Sequence, residues 1–145
     1  MRHALAAATL ALCLIAAPAL CAPDAGEVVD AFHAALAEGK ADAAAALLAD
    51  DLVVYEEGHV EASKAEYLRS HLPQDISFLR SVVETTTASR TVLRGETAWV
   101  IREGTTVGTF QGREVNRVTS ETVVLHLEPA GWRIVHIHWS SHKGG

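Results

Sequence analysis

The sequence has 145 residues, with 12 Lys and Arg against 18 Asp and Glu, for a formal net charge of −6. An acidic chain without an arginine-rich run lacks the basic patch that neutralises phosphates, so we expect no nucleic-acid partner. The sequence contains neither a phosphate-binding glycine loop nor a Gly-x-Ser-x-Gly elbow, and nucleotide binding and serine-based hydrolysis therefore have no support.

The first 21 residues have the pattern of a secretory signal peptide. An apolar run from Ala4 to Ala17 follows a basic start and precedes small residues at Ala19 and Cys21. Acylation of Cys21 fits less well, because Leu20 stands where lipoprotein signals carry a small residue. We expect cleavage to leave one domain over residues 22–145, periplasmic or secreted and free of the membrane. Both cysteines would leave with the signal, so packing alone would hold the domain.

Helical signals occupy the first part of the predicted mature chain. Apolar residues from Val28 to Leu36 recur at helical spacing and predict a first helix. An alanine-rich helix is predicted over residues 41–49. Ser63 and Glu66 form a capping box that begins a third helix, which we expect to end at Pro73.

Strand signals dominate the second part. The β-branched and aromatic content of Leu52–Tyr55 predicts a short strand, and a turn follows it. From Val82 onward, turn signals separate segments rich in Thr and Val. They predict four long strands, at about residues 82–93, 96–107, 113–127 and 131–141. Short connections make these strands antiparallel neighbours. Because the helices come first in the chain and the strand meander follows them, the sequence predicts the α+β class.

The last strand is the most informative segment for function. Because strand side chains alternate, His136 and His138 share one face, and Val135, Ile137 and Trp139 share the other. Imidazoles set against an apolar stripe are typical of a pocket floor. We expect the two imidazoles to project inward, toward a hollow that the helices cover.

The chain resembles the nuclear transport factor 2-like superfamily in its element order, in the segment LLADDLVVYEEG and in the ending GWRIVHIHWSS. The SnoaL-like polyketide cyclase branch and the association domain of calcium/calmodulin-dependent kinase are the most similar. Their final strand carries a similar Trp-x-x-Val-His-x-His-x-Ser pattern, matched here by Trp132, Val135, His136, His138 and Ser140.

The resemblance implies a cone-shaped fold, in which N-terminal helices pack on a strongly bent antiparallel sheet and leave a pocket at the open end. It also implies a homodimer packed sheet to sheet. The superfamily includes enzymes, transport adaptors and oligomerisation hubs, so membership does not select a chemistry. The carboxylate base and Tyr/Asp oxyanion hole of ketosteroid isomerase-like members have no residue-by-residue match in this sequence.

We expect the domain to bind a small, partly apolar molecule in that pocket, without a cofactor. The expected pocket residues are the polar and aromatic side chains that the fold would bring together at its open end. They are Tyr55, Glu57, His59, Tyr67, His71, His136 and His138.

Three alternatives remain open at this stage. An enzyme of the lyase, isomerase or hydrolase type would use a pocket histidine as its acid–base group. A metal-binding protein would use imidazoles as ligands, and the candidates are His59, His71, His136 and His138. A purely structural hub would use neither.

Overall fold

The computed structural model describes residues 23–145, in which a run of helices precedes a six-stranded sheet. The signal peptide predicted over residues 1–21 lies outside the described part of the chain. Within residues 23–145, no helix has the length and apolar character needed to cross a membrane.

The first two helices begin close to where the sequence predicts them. Helix α1 (Ala25–Ala37) opens on a capping box, in which the Asp24 side chain and the Glu27 side chain each accept the other's backbone N–H. Its buried face contains the predicted apolar residues. Helix α2 (Ala41–Ala46) is shorter than expected, because Leu48 already belongs to the first strand.

The third predicted helix does not end at Pro73. Helix α3 (Lys64–Glu66) continues through a π-helical turn (Tyr67–His71) into helix α4 (Leu72–Leu79). Pro73 occupies the first turn of α4, directly after the π-helical turn, so its missing backbone N–H falls where one helical geometry changes to another. The prediction that the helix ends at Pro73 is wrong, because the chain continues as helix α4 beyond this residue.

The strands are β1 (Leu48–Glu56), β2 (His59–Glu61), β3 (Val82–Arg94), β4 (Thr97–Phe110), β5 (Arg113–Glu128) and β6 (Gly131–Lys143). They form one sheet in the order β2-β1-β6-β5-β4-β3. The four long predicted strands and the α+β class are confirmed. The sheet is mixed rather than wholly antiparallel, because β1 pairs with β6 in parallel. The helices and the intervening meander supply the long connection that a parallel pair needs.

A bulge in β6 decides which side chains face the helices. Val124 pairs with His136 but Leu125 pairs with Ile134, so Val135 is the extra residue and the alternation shifts by one. Ile134 and Ile137 are fully buried in the core on the inner face of the sheet.

The two histidines therefore point to the opposite, outer face. The expectation that these imidazoles project inward is wrong. Trp139 takes the inward position at this end of the strand, where it packs against the core and reaches a cavity.

Candidate functional site

A cavity of about 760 Å³ lies between the inner face of the sheet and the helices. This volume suits a small organic molecule. Phe78 and Phe110 meet edge to face at 5.3 Å between ring centroids, and together with Trp139 they give the cavity apolar wall. The remaining lining is rich in ionisable groups, and several of them belong to two clusters.

The first group, the His71 cluster, consists of Glu56, Glu61, Tyr67, His71 and Asp75. The imidazole of His71 has Nε2 2.8 Å from Glu56 Oε2 and 3.2 Å from Asp75 Oδ1. Its Nδ1 lies 2.9 Å from Glu61 Oε1. The buried Tyr67 donates its hydroxyl to Asp75 Oδ2 at 2.6 Å. One imidazole thus holds three carboxylates at the end of the cavity.

The carboxylates keep this imidazole protonated. Hydrogen bonds to Asp75 and Glu56 raise the pKa of His71 to about 11, against the opposing effect of burial. Burial raises the pKa of Asp75, although His71 opposes the shift. Burial and the Asp75 carboxylate raise the pKa of Tyr67 well above its usual range, so its hydroxyl remains a donor.

The second group, the Glu121 cluster, consists of His33, Glu84, Arg102, Glu121 and Trp139. Glu121 Oε1 accepts from Trp139 Nε1 at 2.6 Å and lies 2.8 Å from His33 Nε2. The other imidazole nitrogen is 3.2 Å from Glu84 Oε2. Arg102 pairs with Asp30 of α1, and its Nε lies 3.9 Å from Glu121 Oε2.

The contacts within the Glu121 cluster also shift the pKa values of His33 and Glu121. Burial alone lowers the pKa of His33, but the bond to Glu121 and the Glu84 carboxylate outweigh it and raise the pKa to about 10. Burial alone raises the pKa of Glu121, but His33, Trp139 and Arg102 hold it below its usual range. At neutral pH His33 is therefore a buried cation, and Glu121 is its buried carboxylate partner.

Trp139 connects the two clusters. Its indole N–H binds Glu121, and its ring lies 6.1 Å from the His71 ring, centroid to centroid. A molecule in the cavity would therefore meet an aromatic surface with a hydrogen-bonded cluster of polar side chains on either side.

The structure places the predicted pocket residues in three locations. Glu57, His59 and His71 line the cavity, the first two at its rim, where Glu57 accepts a hydrogen bond from Ser141. Tyr67 lies behind the lining, fully buried, and reaches the cavity wall only through Asp75.

Tyr55, His136 and His138 are not part of the cavity lining. They form a group on the outer face, with the Tyr55 ring 5.5 Å from His136 and 6.3 Å from His138. The His136 Nδ1 lies 3.0 Å from the carbonyl oxygen of Val53. The predicted four-histidine metal set is therefore divided between two faces of the sheet.

Several residues of the cavity were missed as pocket residues, although β5 and β4 carried a signal. Glu121 has the same alternation as the apolar Val123 and Leu125, and Arg102 has the same alternation as Ala98 and Val100. A charged residue on the apolar face of a strand indicates a buried ionic site. His33 carried a comparable signal, because it lies four residues after Val29 and three before Leu36 on the buried face of α1. Glu84 carried none, because long-range packing alone brings it to His33.

Comparison with known proteins places this geometry in a family. The sequence profile of the SnoaL-like domain matches residues 26–142. A candidate ketosteroid isomerase from Shewanella frigidimarina is 34% identical, with a TM-score of 0.77, over 80% of this chain and 94% of that protein. No curated protein matches the sequence significantly.

More distant structures share the fold. A candidate dehydratase of the NTF2-like family from Streptomyces avermitilis has a TM-score of 0.70 at 21% identity, over 82% of this chain and 94% of that one. The CaMKII hub of S. rosetta has a TM-score of 0.68 at 22% identity, over 87% of this chain and 100% of that one. The chain belongs to the SnoaL-like family, within the nuclear transport factor 2-like superfamily.

Proposed function

We propose that the protein binds a small, partly apolar molecule in the cavity between the helices and the sheet. The observation that carries this proposal is the cavity itself, about 760 Å³ with Phe78, Phe110 and Trp139 in its lining. Concave sites of this size with apolar walls and a few convergent polar groups are where proteins bind small ligands.

The charge of the lining restricts the ligand. Eight carboxylates face three arginines and three histidines in the cavity wall. With His33 and His71 protonated, the wall keeps an excess of negative charge. An anionic ligand would be repelled, so the ligand is neutral or cationic.

A neutral fluorescent dye such as Nile red tests the proposal in the full chain. We expect saturable 1:1 binding and a weaker affinity in Phe110→Ser, because a lost phenyl contact of about 1.5–3 kcal/mol corresponds to roughly 10–100-fold. Leu127→Ser, an exposed apolar residue outside the cavity, is the control. Binding that is absent, or equally weakened in both variants, would contradict a ligand site here.

The second candidate function is an enzyme of the lyase, isomerase or hydrolase type. Its acid–base group would be a residue other than a histidine. The similarity to a candidate ketosteroid isomerase favours keeping it as the second function. Neither His33 nor His71 releases its proton near neutral pH, since their pKa values are about 10 and 11. Asp75, whose pKa is raised, is the better candidate for proton transfer. Turnover that survives Asp75→Asn unchanged would exclude this assignment.

We also propose a homodimer packed through the outer face of the sheet. This face leaves large apolar side chains exposed, among them Ile101 at 37%, Val107 at 45% and Val118 at 37%. The Tyr55, His136 and His138 group continues the same surface. A monomer would keep this apolar patch in water, which soluble proteins usually avoid.

Light scattering after gel filtration tests the dimer. We expect the wild-type chain to have twice the monomer mass and Ile101→Glu to be monomeric, because a charge would be buried without a partner. Leu93→Glu, at an exposed leucine on the other face, is the matched control. A monomeric wild type, or an unaffected Ile101→Glu dimer, would refute the interface.

Export is a further proposal, supported by the pattern of residues 1–21 alone. We expect the protein recovered from the periplasm or medium to begin at Ala22. Intact-mass analysis that finds Met1 still attached to the exported protein would contradict it.

A further inference from the structure

The His71 cluster brings three ligating atoms to one point of the cavity wall. Glu56 Oε2 and Asp75 Oδ1 lie 2.8 Å and 3.2 Å from His71 Nε2, and all three atoms are within 4.8 Å of one another. Ligands bound at right angles to one metal at about 2.1 Å are roughly 3 Å apart. We propose that Glu56, His71 and Asp75 bind a first-row divalent metal ion.

The other atoms of the two inner ligands are already held. His71 Nδ1 contacts Glu61 Oε1 at 2.9 Å, and Asp75 Oδ2 accepts the Tyr67 hydroxyl at 2.6 Å. Metal-binding histidines and carboxylates typically use such partners to fix their orientation. The arrangement leaves Nε2 and Oδ1 as the atoms for coordination, both within 4.8 Å of a Glu56 carboxylate oxygen.

The composition of the cluster favours a divalent ion. Three acidic side chains surround a single imidazole in a partly buried site. Glu61 Oε2 is buried and has no hydrogen-bond partner within residues 23–145. On binding, the metal takes the place of the Nε2 proton, which leaves to solvent, and it brings a net additional positive charge.

The ligand set indicates which ions fit. One imidazole nitrogen and two carboxylate oxygens suit Mn²⁺, Fe²⁺ or Zn²⁺. Three protein ligands would leave coordination positions open, and all three ligating residues line the cavity. The bound metal would add a Lewis acid to the end of the cavity. The inference goes beyond ligand binding and does not depend on it.

Calorimetric titration of the metal-free full chain with Mn²⁺ and with Zn²⁺ tests the site. We expect one ion per chain. Glu56→Gln should lower the affinity at least tenfold, and Glu61→Gln about 10–100-fold, as the loss of an orienting partner does. Asp42→Asn, an exposed carboxylate on α2, should leave it unchanged. An absence of binding at millimolar metal, or an equal loss in Asp42→Asn, would overturn the proposal.

Pulsed electron paramagnetic resonance of the Mn²⁺-loaded protein provides an independent measurement. We expect the signal of one coordinated imidazole nitrogen, lost in His71→Gln and retained in His126→Gln on an exposed strand position. Circular dichroism verifies that the variants fold. If His71→Gln fails to fold, the nitrogen signal in wild type and its loss of intensity in Glu56→Gln decide the question. A wild-type ion without nitrogen coordination would refute the site.

Discussion

At the scale of single residues, the imidazoles of His33 and His71 are each held by more than one carboxylate. His33 lies between Glu84 and Glu121, and His71 lies among Glu56, Glu61 and Asp75. A buried imidazolium with such partners is retained because the carboxylates compensate for lost hydration. In the metal-free protein the two rings are therefore cations, and they order the acidic side chains around them.

The raised pKa of His33 predicts a loss of stability at alkaline pH. The folded-state value of about 10 lies above the ordinary value of 6.5. The stabilisation that protonated His33 gives the folded state is therefore complete below pH 6.5 and disappears as the pH rises through 10. We expect urea unfolding to show that wild type loses more unfolding free energy between pH 7 and 10 than His33→Gln does. Parallel pH profiles for the two proteins would contradict the raised pKa.

The sequence has two tyrosines, and we expect removal of the hydroxyl group to cost more stability at Tyr67 than at Tyr55. Tyr67→Phe removes a donor to a buried carboxylate, and we expect it to lower the free energy of unfolding by about 1.5–3 kcal/mol. Tyr55→Phe, at a residue that is 43% exposed, should change it little. Chemical denaturation of both variants makes the comparison, and equal effects would argue against the Tyr67–Asp75 bond.

At the scale of elements, the bulge in β6 and the π-helical turn do most to place the site. The bulge at Val135 brings Trp139 inward and moves His136 and His138 outward. The π-helical turn ends at His71, so that the imidazole reaches Glu56 and Glu61 on the first two strands. Single-turn π-helices are frequent at functional sites.

The capping box of α1 predicts a cost for Asp24→Ala. The side chain accepts the Glu27 backbone N–H, and the loss of such a cap costs about 1 kcal/mol. Asp42→Ala, in the first turn of α2 without a capping bond, should cost less. Thermal or urea unfolding of the two variants measures the difference, and a smaller effect at Asp24 would contradict the capping geometry.

At the scale of the whole molecule, β6 holds the sheet together. It lies between β1 and β5 and carries the fully buried Ile134 and Ile137. The short β2 lies at the edge, paired only with β1. The cavity is therefore formed on a stable centre with its rim residues on less protected segments.

This arrangement of strands predicts which backbone amides exchange their hydrogens slowly and which exchange them fast. We expect β5 and β6 to exchange only through global unfolding and β2 to exchange through local opening, because edge segments with few buried contacts open first. Mass spectrometry or NMR measures the exchange rates. Protection in β2 equal to that in β6 would show that the rim is as rigid as the centre.

Alternation, turn signals and capping residues determined the α+β class and the four long strands, because these are local properties of the chain. The sequence by itself also identified His71 and the rim residues Glu57 and His59 as candidates. Local signals did not predict the parallel pairing of β1, because it joins segments far apart in the chain.

Only the tertiary structure decided which face of β6 meets the cavity and which carboxylates meet each imidazole. One extra residue in a strand inverts the alternation beyond it, and no local signal marked Val135 as that residue. The His33–Glu121 pair spans 88 positions of the sequence. Such contacts arise from the packing of α1 on the sheet, which a pattern of neighbouring residues does not encode.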